Sequence, residues 1–469
     1  MRKAQRPDNS SLKPALCLAA LLLGARAWGQ DTAAATACAT LADDLHFIHA
    51  QLQTNSSPYN HDAAIAERTN KVFEEVLARA PECRTDNDYR TAVLTYTASF
   101  HDPHLHATHL PTTDTVSTNV WIRRLNDHYF VWNSTEEAPY GLRRGDEWLG
   151  CEGRLAREYV LHDVLALQGY TTLEAALYEH AADAFLRTDK AKGESIDCDF
   201  LQDGKALTKT LRWGPVDEAS RKRFESDVKG RPAYALKKEP WGYWAGLSAM
   251  TAIDEDGRKA MQAFIRDTKE LRGAGTIVLD LRGNAGGDSS WGERWISGLI
   301  GDKARKGEEA GSSCLIWASP ENLRNFKLDP KLNRGQKGFI DCGGRAPLPQ
   351  RKTGQRVYVL TDAACLSSCE MFVMALRDLP EVVHVGLPTN ASTLYGDVRD
   401  VAAPSGHAGV MFPQKVFAMA SLWKGREPGE PIVPNVLLRY DPALEAQGQD
   451  SLRAAVLDLL KRDGRLTNP

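Results

Sequence analysis

Apolar residues recur at near-helical intervals from Ala39 through Leu41, Leu45 and Ile48 to Leu52, and Val72, Val76 and Leu77 continue the pattern with Glu and Arg between them. A period near 3.6 marks helices with one apolar face, so residues 30–115 are predicted to be an N-terminal helical region. From Val116 the period shortens. Val120-Trp-Ile and Tyr129-Phe-Val-Trp alternate as strands do, and Gly141-Leu-Arg-Arg-Gly-Asp-Glu-Trp-Leu-Gly-Cys-Glu-Gly predicts turn, short strand, turn. Residues 155–188 carry helical spacing, and 197–211 predict strand, turn, strand, which closes a β-rich unit over 116–216.

After a charged stretch, Glu218 to Lys238, the pattern becomes α/β. Trp241 to Ser248 predicts a strand, and Met261, Phe264, Ile265 and Leu271 fall at helical spacing. Thr276-Ile-Val-Leu-Asp-Leu is a continuous apolar run suited to a strand buried on both faces. Val357-Tyr-Val-Leu-Thr-Asp repeats the plan, with a tight turn and a helix from about Ser368 to Leu379. Strand, helix, strand, helix implies a mostly parallel sheet, here over 235–445, followed by a C-terminal helix and tail, 446–469.

The first residues follow a separate logic. Arg2, Lys3, Arg6 and Lys13 precede an apolar run, Ala15 to Leu23, which ends in Gly24-Ala25-Arg26-Ala27. This is the pattern of a secretory signal peptide, 1–29, with cleavage between Ala27 and Gln30. The run is far shorter than the roughly 20 residues a membrane-spanning helix needs. A periplasmic or secreted protein without stable membrane insertion is expected.

The 469 residues suffice for two or three domains. With 42% hydrophobic and 25% charged residues the chain is of ordinary globular composition, which excludes collagen-like and wholly disordered classes. Lys+Arg total 58 against 61 Asp+Glu, and no basic run is long enough to neutralise a row of phosphates, so nucleic acid is not an expected partner. Beyond the signal stand eight cysteines, an even number in an exported chain, which points to disulfides. The domain divisions favour neighbour pairing: Cys38 with Cys83, Cys151 with Cys198, Cys314 with Cys342 and Cys365 with Cys369. No CxxC…CxxC spacing supports zinc.

Two loops carry candidate chemistry. Arg282-Gly-Asn-Ala-Gly-Gly-Asp lies between a buried strand and a helix, where bare backbone N–H groups can hold an anion. It lacks the GK[ST] of a phosphate-binding loop, so an oxyanion is the better occupant. In the second loop, Ala363-Ala-Cys-Leu-Ser-Ser-Cys-Glu, Ser367 sits at a strand-to-helix junction with the Ser368 N–H at the helix start. The competing reading is an ordinary capping box, Ser367 with Glu370. A third element, Ser99-Phe-His-Asp-Pro-His-Leu-His, crowds His101, Asp102, His104, His106 and, beyond it, His109 into a few residues, a set that also has metal-binding chemistry.

The glycine pattern at 141–153 resembles a segment of PDZ domains. Val278-Leu-Asp-Leu-Arg-Gly-Asn-Ala-Gly-Gly, followed some 80 residues later by a strand and Ser-x-x-Glu, resembles the C-terminal processing (tail-specific) serine peptidases. Gly386-Leu-Pro-Thr and Pro431-Ile-Val-Pro-Asn-Val look like later segments of that family. The resemblance implies an α/β fold with a crotonase-like (ClpP-like) catalytic core, a PDZ-like β-rich domain before it, a peptide or protein substrate and no cofactor. It makes Ser367 the nucleophile and gives the oxyanion to the N–H groups of Ser368 and of Gly286 or Gly287, with Asp280 and Arg282 supporting the loop.

One departure matters. Where the usual bacterial members carry the activating lysine, this chain has Asn390-Ala-Ser-Thr; the next lysine is Lys415. Either another base acts or the protein is a catalytically inactive peptide- or lipid-binding protein on the same fold. The tricorn-like and retinoid-binding-protein-like branch uses histidine, and Asp102 and His104 match its Asp-x-His element. His104 is then the expected base, since imidazole titrates near neutral pH. Glu427 is the expected orienting carboxylate, with Glu430 or Asp102 as alternatives.

Overall fold

The computed structural model describes residues 37–133, 139–188, 193–301, 314–329, 338–342, 355–418 and 427–466. These belong to one unit, Thr36–Pro469. The signal segment 1–29, Gly425, Arg426 and the last three residues lie outside the described ones.

Three long helices, Leu41–Asn55, Ala63–Arg79 and Asp86–Ala98, and the short helix Ser57–His61 make up most of the N-terminal region. Their starts are capped locally: Asp62 accepts the Ala64 N–H, and Thr85 and Asp88 form a reciprocal capping box. Leu45, Ile48, Leu52, Phe73 and Tyr96 pack against Val410, Phe412 and Val416. Those three belong to the strand Gly409–Val416 of a small antiparallel sheet, which pairs with His106–Thr108 at one end and Leu315–Trp317 at the other. The helical region is therefore joined to a sheet of the distant C-terminal half, and its own last segment contributes a strand.

The middle unit is an antiparallel sheet in the order Ile122–Leu125, His128–Val131, Glu147–Cys151, Ser195–Gln202, Lys205–Arg212. Its last hairpin turns on Asp203-Gly204, both at positive φ, the two-residue turn that matches strand twist. Residues 155–188 depart from the single helix expected. They break into short helices, Ala156–Tyr159 and Leu173–Glu179 among them, and end in the strand Leu186–Thr188. Burying Tyr159, Leu177 and Phe185 against Trp148 and Phe200 overrides the local periodicity. The charged stretch 218–238 is likewise structured: a helix, Glu218–Lys229, capped by Asp217, and then the strand Tyr234–Glu239.

The core sheet runs Tyr234–Glu239, Gly242–Leu247, Thr276–Asp280, Arg356–Thr361, Val382–Gly386, Val436–Leu437. The first pair is antiparallel and the rest are parallel. Alternate residues explain the continuous apolar runs. Ile277, Leu279, Val357 and Val359 face Met261, Phe264, Trp295 and Phe372 of three helices, while Val278, Tyr358 and Leu360 cluster with Trp121 and with Leu452 and Val456 of the C-terminal helix Ser451–Arg462. Among the described residues no helix is long and apolar enough to cross a membrane.

Candidate active site

Two neighbouring parallel strands, Thr276–Asp280 and Arg356–Thr361, deliver the two candidate loops side by side at their C-terminal ends. The loops are tied together by hydrogen bonds. Gly283 and Ala364 both donate their N–H to Asp362 Oδ1, at 3.0 and 3.1 Å, and the Leu366 N–H donates to the Asn284 carbonyl at 3.2 Å. Gly286, at φ 85°, lies so close that a Cβ there would stand 2.8 Å from the Leu366 carbonyl oxygen and 3.0 Å from Ser367 Cβ. A glycine is required on both counts.

Ser367 is half-buried and held at φ 56°, ψ −123°, a left-handed conformation costly for a residue with a side chain. Its side chain makes no cap bond, so the capping-box reading is incorrect. Glu370 reaches elsewhere. Fully buried, it accepts hydrogen bonds from the Thr389 hydroxyl, the Ala391 N–H (2.8 Å), the Ser392 N–H (2.9 Å) and the hydroxyls of Ser392 and Thr393. Two of those hydroxyls hold the strained residue. Ser392 Oγ accepts the Ser367 N–H at 3.0 Å, and Thr393 Oγ1 donates to the Ser367 carbonyl at 3.3 Å. Residues 389–393 thus build a hydroxyl cradle on a buried carboxylate. Burial raises the Glu370 carboxyl above its usual range, and these donors pull it back only in part.

Among the described residues, the N–H groups of Ser368 and Gly287 carry no hydrogen bond, and Ser368 Oγ donates to the Gly287 carbonyl at 2.6 Å, which keeps the two residues together. The Gly286 N–H is already taken by Asn284 Oδ1 at 2.9 Å. Gly287 is positioned from the other side by its neighbours: Met250 N–H donates to the Gly286 carbonyl and Asp288 N–H to the Met250 carbonyl, both at 2.9 Å.

The histidine-rich loop packs beside this turn through an intermediary. A Cβ on Gly169 would meet the Asp102 carbonyl oxygen at 2.6 Å, Thr172 donates to the Asn390 carbonyl at 3.3 Å, and the Asn390 N–H donates to the Cys365 carbonyl at 3.0 Å. His104 is largely buried. Its Nδ1 stands 3.3 Å from Asp102 Oδ1 without hydrogen-bond alignment, and neither ring nitrogen has a hydrogen-bond partner among the described residues. No hydrogen bond joins His104 to Ser367 in this arrangement. Glu427 is exposed and makes no side-chain bond among the described residues; Asp102 is the carboxylate beside His104. Lys415 lies in another sheet, ion-paired with Asp397 and 4.7 Å over the Phe326 ring. The remaining histidines disperse: His109 pairs with Asp400 at 2.8 Å, His101 stacks on Tyr170, and among the described residues no group of three or more His, Cys, Asp or Glu is gathered for a metal.

Behind the first loop, Arg282 forks onto Asp280 (2.8 and 2.7 Å) and onto Asp450 (2.6 and 2.8 Å), and Arg231 adds a bond to Asp280 at 2.7 Å. Asp450 caps the C-terminal helix, so the fork ties that helix to the loop. Burial alone would raise the Asp280 carboxyl, but Arg282 and Arg231 outweigh it and hold it at about 2. The folded value lies below the unfolded one, so the stabilisation is present above the unfolded value and is lost as pH falls toward 2. The stability gap between wild type and Asp280→Asn, read from urea midpoints, should shrink by roughly 2 kcal/mol from pH 5 to pH 2. An unchanged gap would show that the arginines do not hold the carboxylate.

The eight cysteines lie in four neighbouring pairs at bridging separation, with Cα–Cα distances of 5.5 Å for 38–83, 3.9 Å for 151–198, 5.5 Å for 314–342 and 5.4 Å for 365–369. Cys365 falls in the turn before the helix Ser368–Leu376, which lets so close a spacing meet.

Residues 245–419 match the model of peptidase family S41. The matched segment contains both candidate loops and is similar to peptidase family S41, the class to which those loops pointed. The fold of the chain is similar to that of mature CPAF, with a TM-score of 0.66 and 13% identity over 91% of this chain and 98% of that one. It is also similar to mature CPAF complexed with lactacystin, with a TM-score of 0.64 and 13% identity over 90% and 98%. A search of curated protein sequences finds no match.

Sequence reasoning missed the Glu370 cradle, Asp362, Arg231 and Asp450. The spacing of Ser367 and Glu370 was visible but carried the wrong role, and Asp450 lies 168 residues from Arg282, beyond any local pattern.

Proposed function

We propose that the chain is an exported serine endopeptidase with a crotonase-like core and a PDZ-like middle domain. Ser367 Oγ attacks the scissile carbonyl, His104 takes its proton and returns it to the leaving amine, and the Ser368 and Gly287 N–H groups hold the oxyanion. The observation that carries this reading is a pair of N–H groups, unbonded among the described residues and on residues tied by the Ser368 Oγ–Gly287 carbonyl bond, beside a serine held at positive φ between strand and helix. Gly287 replaces Gly286 as the donor because the Gly286 N–H is already occupied. Asp102, nearest to His104, replaces Glu427 as the orienting group. On substrate binding His104 closes onto Ser367, as catalytic hydrogen bonds often tighten only in the bound complex.

The second reading, a catalytically silent peptide-binding protein, draws on the missing bond between His104 and Ser367. A fluorophosphonate probe separates the two. Covalent labelling mapped to Ser367 and lost in His104→Ala supports the peptidase, and an unlabelled, folded protein overturns it.

Export and the four close cysteine pairs support disulfides in an oxidising compartment. The Cys365–Cys369 bridge closes too short a loop to stabilise much by chain entropy, so its effect is on the turn that presents Ser367. Cys365→Ala/Cys369→Ala should lower the labelling rate on the order of tenfold by misplacing the nucleophile, with a small change in urea midpoint. Free thiols at both positions in unreduced wild type would refute the bridge.

A further inference from the structure

We propose that the cavity behind the two active-site loops binds a basic peptide side chain, with Asp362 as its acidic partner. The cavity, about 520 Å³, lies between the middle unit, the helix Glu218–Lys229 and the core sheet. That volume is in the range of small-ligand sites. Gly283, Ala285, Ala364 and Leu366 line it, while the alternate residues Asn284, Gly286, Cys365 and Ser367 do not. It is therefore a second space, apart from the open N–H groups of Ser368 and Gly287.

Its walls are mixed, with paired arginines and carboxylates among apolar side chains. Trp121, Leu186, Phe224, Val228 and Leu366 supply apolar surface, and Asp362 supplies a buried carboxylate. Asp362 Oδ1 is filled by the Gly283 and Ala364 N–H groups, but among the described residues Oδ2 receives just one long hydrogen bond, from Tyr178 O–H at 3.3 Å. Tyr178 is itself bonded to Tyr440 at 3.1 Å, so the chain of hydroxyls ends on an oxygen with accepting capacity to spare. Among the described residues no arginine of the wall hydrogen-bonds Asp362, although the charges of Arg282 and Arg231 reach its carboxyl. Each wall arginine is paired with another carboxylate: Arg231 and Arg282 with Asp280 and Asp450, and those of the opposite wall with Glu445, Glu174, Asp227 and Glu218. A group entering this space meets apolar side chains and a buried carboxylate that no arginine hydrogen-bonds among the described residues, which suits the long apolar stem and charged head of lysine or arginine. Because Asp362 Oδ1 also joins the two loops, such an occupant would touch the residue that holds them in register.

The proposal does not depend on the catalytic reading, so it is tested in the Ser367→Ala protein. Benzamidine is the cationic probe and benzamide its neutral counterpart, followed by calorimetry. Saturable one-to-one binding of benzamidine is expected, at least tenfold tighter than benzamide. Asp362→Asn, which keeps an oxygen for Gly283 and Ala364, should weaken benzamidine at least tenfold, and Val228→Trp, which fills the cavity from the opposite wall, should remove it. No saturable binding, equal binding of benzamide, or undiminished binding by either folded variant overturns the site.

Discussion

Ser367→Ala should abolish hydrolysis and probe labelling while leaving the fold unchanged. Loss of the nucleophile in a serine peptidase removes the covalent route altogether, and at least about 10³-fold of the rate should go with it. Stability should hardly move, because the hydroxyl makes no cap bond and the backbone bonds of residue 367 to Ser392 and Thr393 do not involve its side chain. A companion variant tests the strain. Ser367→Gly should be equally inactive but more stable by roughly 1 kcal/mol, since glycine adopts φ 56° without steric cost. Turnover retained in Ser367→Ala would remove this residue from the chemistry, and a destabilised Ser367→Gly would show that the left-handed backbone is not a stored cost.

Glu370→Ala should be the most damaging single change away from the reacting atoms. It strands the Ala391 and Ser392 N–H groups and the Thr389 hydroxyl in the buried interior, and leaves the Thr393 hydroxyl only its 3.3 Å bond to the Ser367 carbonyl. Each unsatisfied buried donor costs about 1–3 kcal/mol, so a loss of roughly 3–5 kcal/mol is expected after partial relaxation. Glu370→Gln separates folding from function. It keeps an amide oxygen for one pair of donors but turns an NH₂ toward the other, which loosens Ser392 and Thr393 and hence both backbone bonds of Ser367. Folded Glu370→Gln should therefore label at Ser367 at least about tenfold more slowly than wild type, a displaced nucleophile being costly even over small distances. Wild-type labelling in Glu370→Gln would reduce the cradle to a packing detail.

These two residues show where local patterning stops being informative. Ser367 was visible in the linear chain because an apolar strand, a small-residue turn and a helix follow one another, and a hydroxyl at such a junction is exposed whatever lies around it. Glu370 was visible too, three residues on, but spacing cannot tell a helix cap from a side chain aimed at another segment. Its partners, residues 389–393, are brought to it by the parallel pairing of Arg356–Thr361 with Val382–Gly386.

The sequence by itself determined the period changes that divide helices from strands, the buried parallel strands Thr276–Asp280 and Arg356–Thr361, the glycine loop, and the cysteine neighbours that fall into close pairs. Those features are written in residues adjacent in the chain, through side-chain period and backbone freedom. Tertiary structure alone decided which glycine N–H stays open, which carboxylate stands beside His104, what holds the Ser367 backbone, and that Asp450 braces Arg282. Each of those depends on groups far apart in sequence meeting at hydrogen-bond distance, where a displacement of about one ångström separates a bond from none.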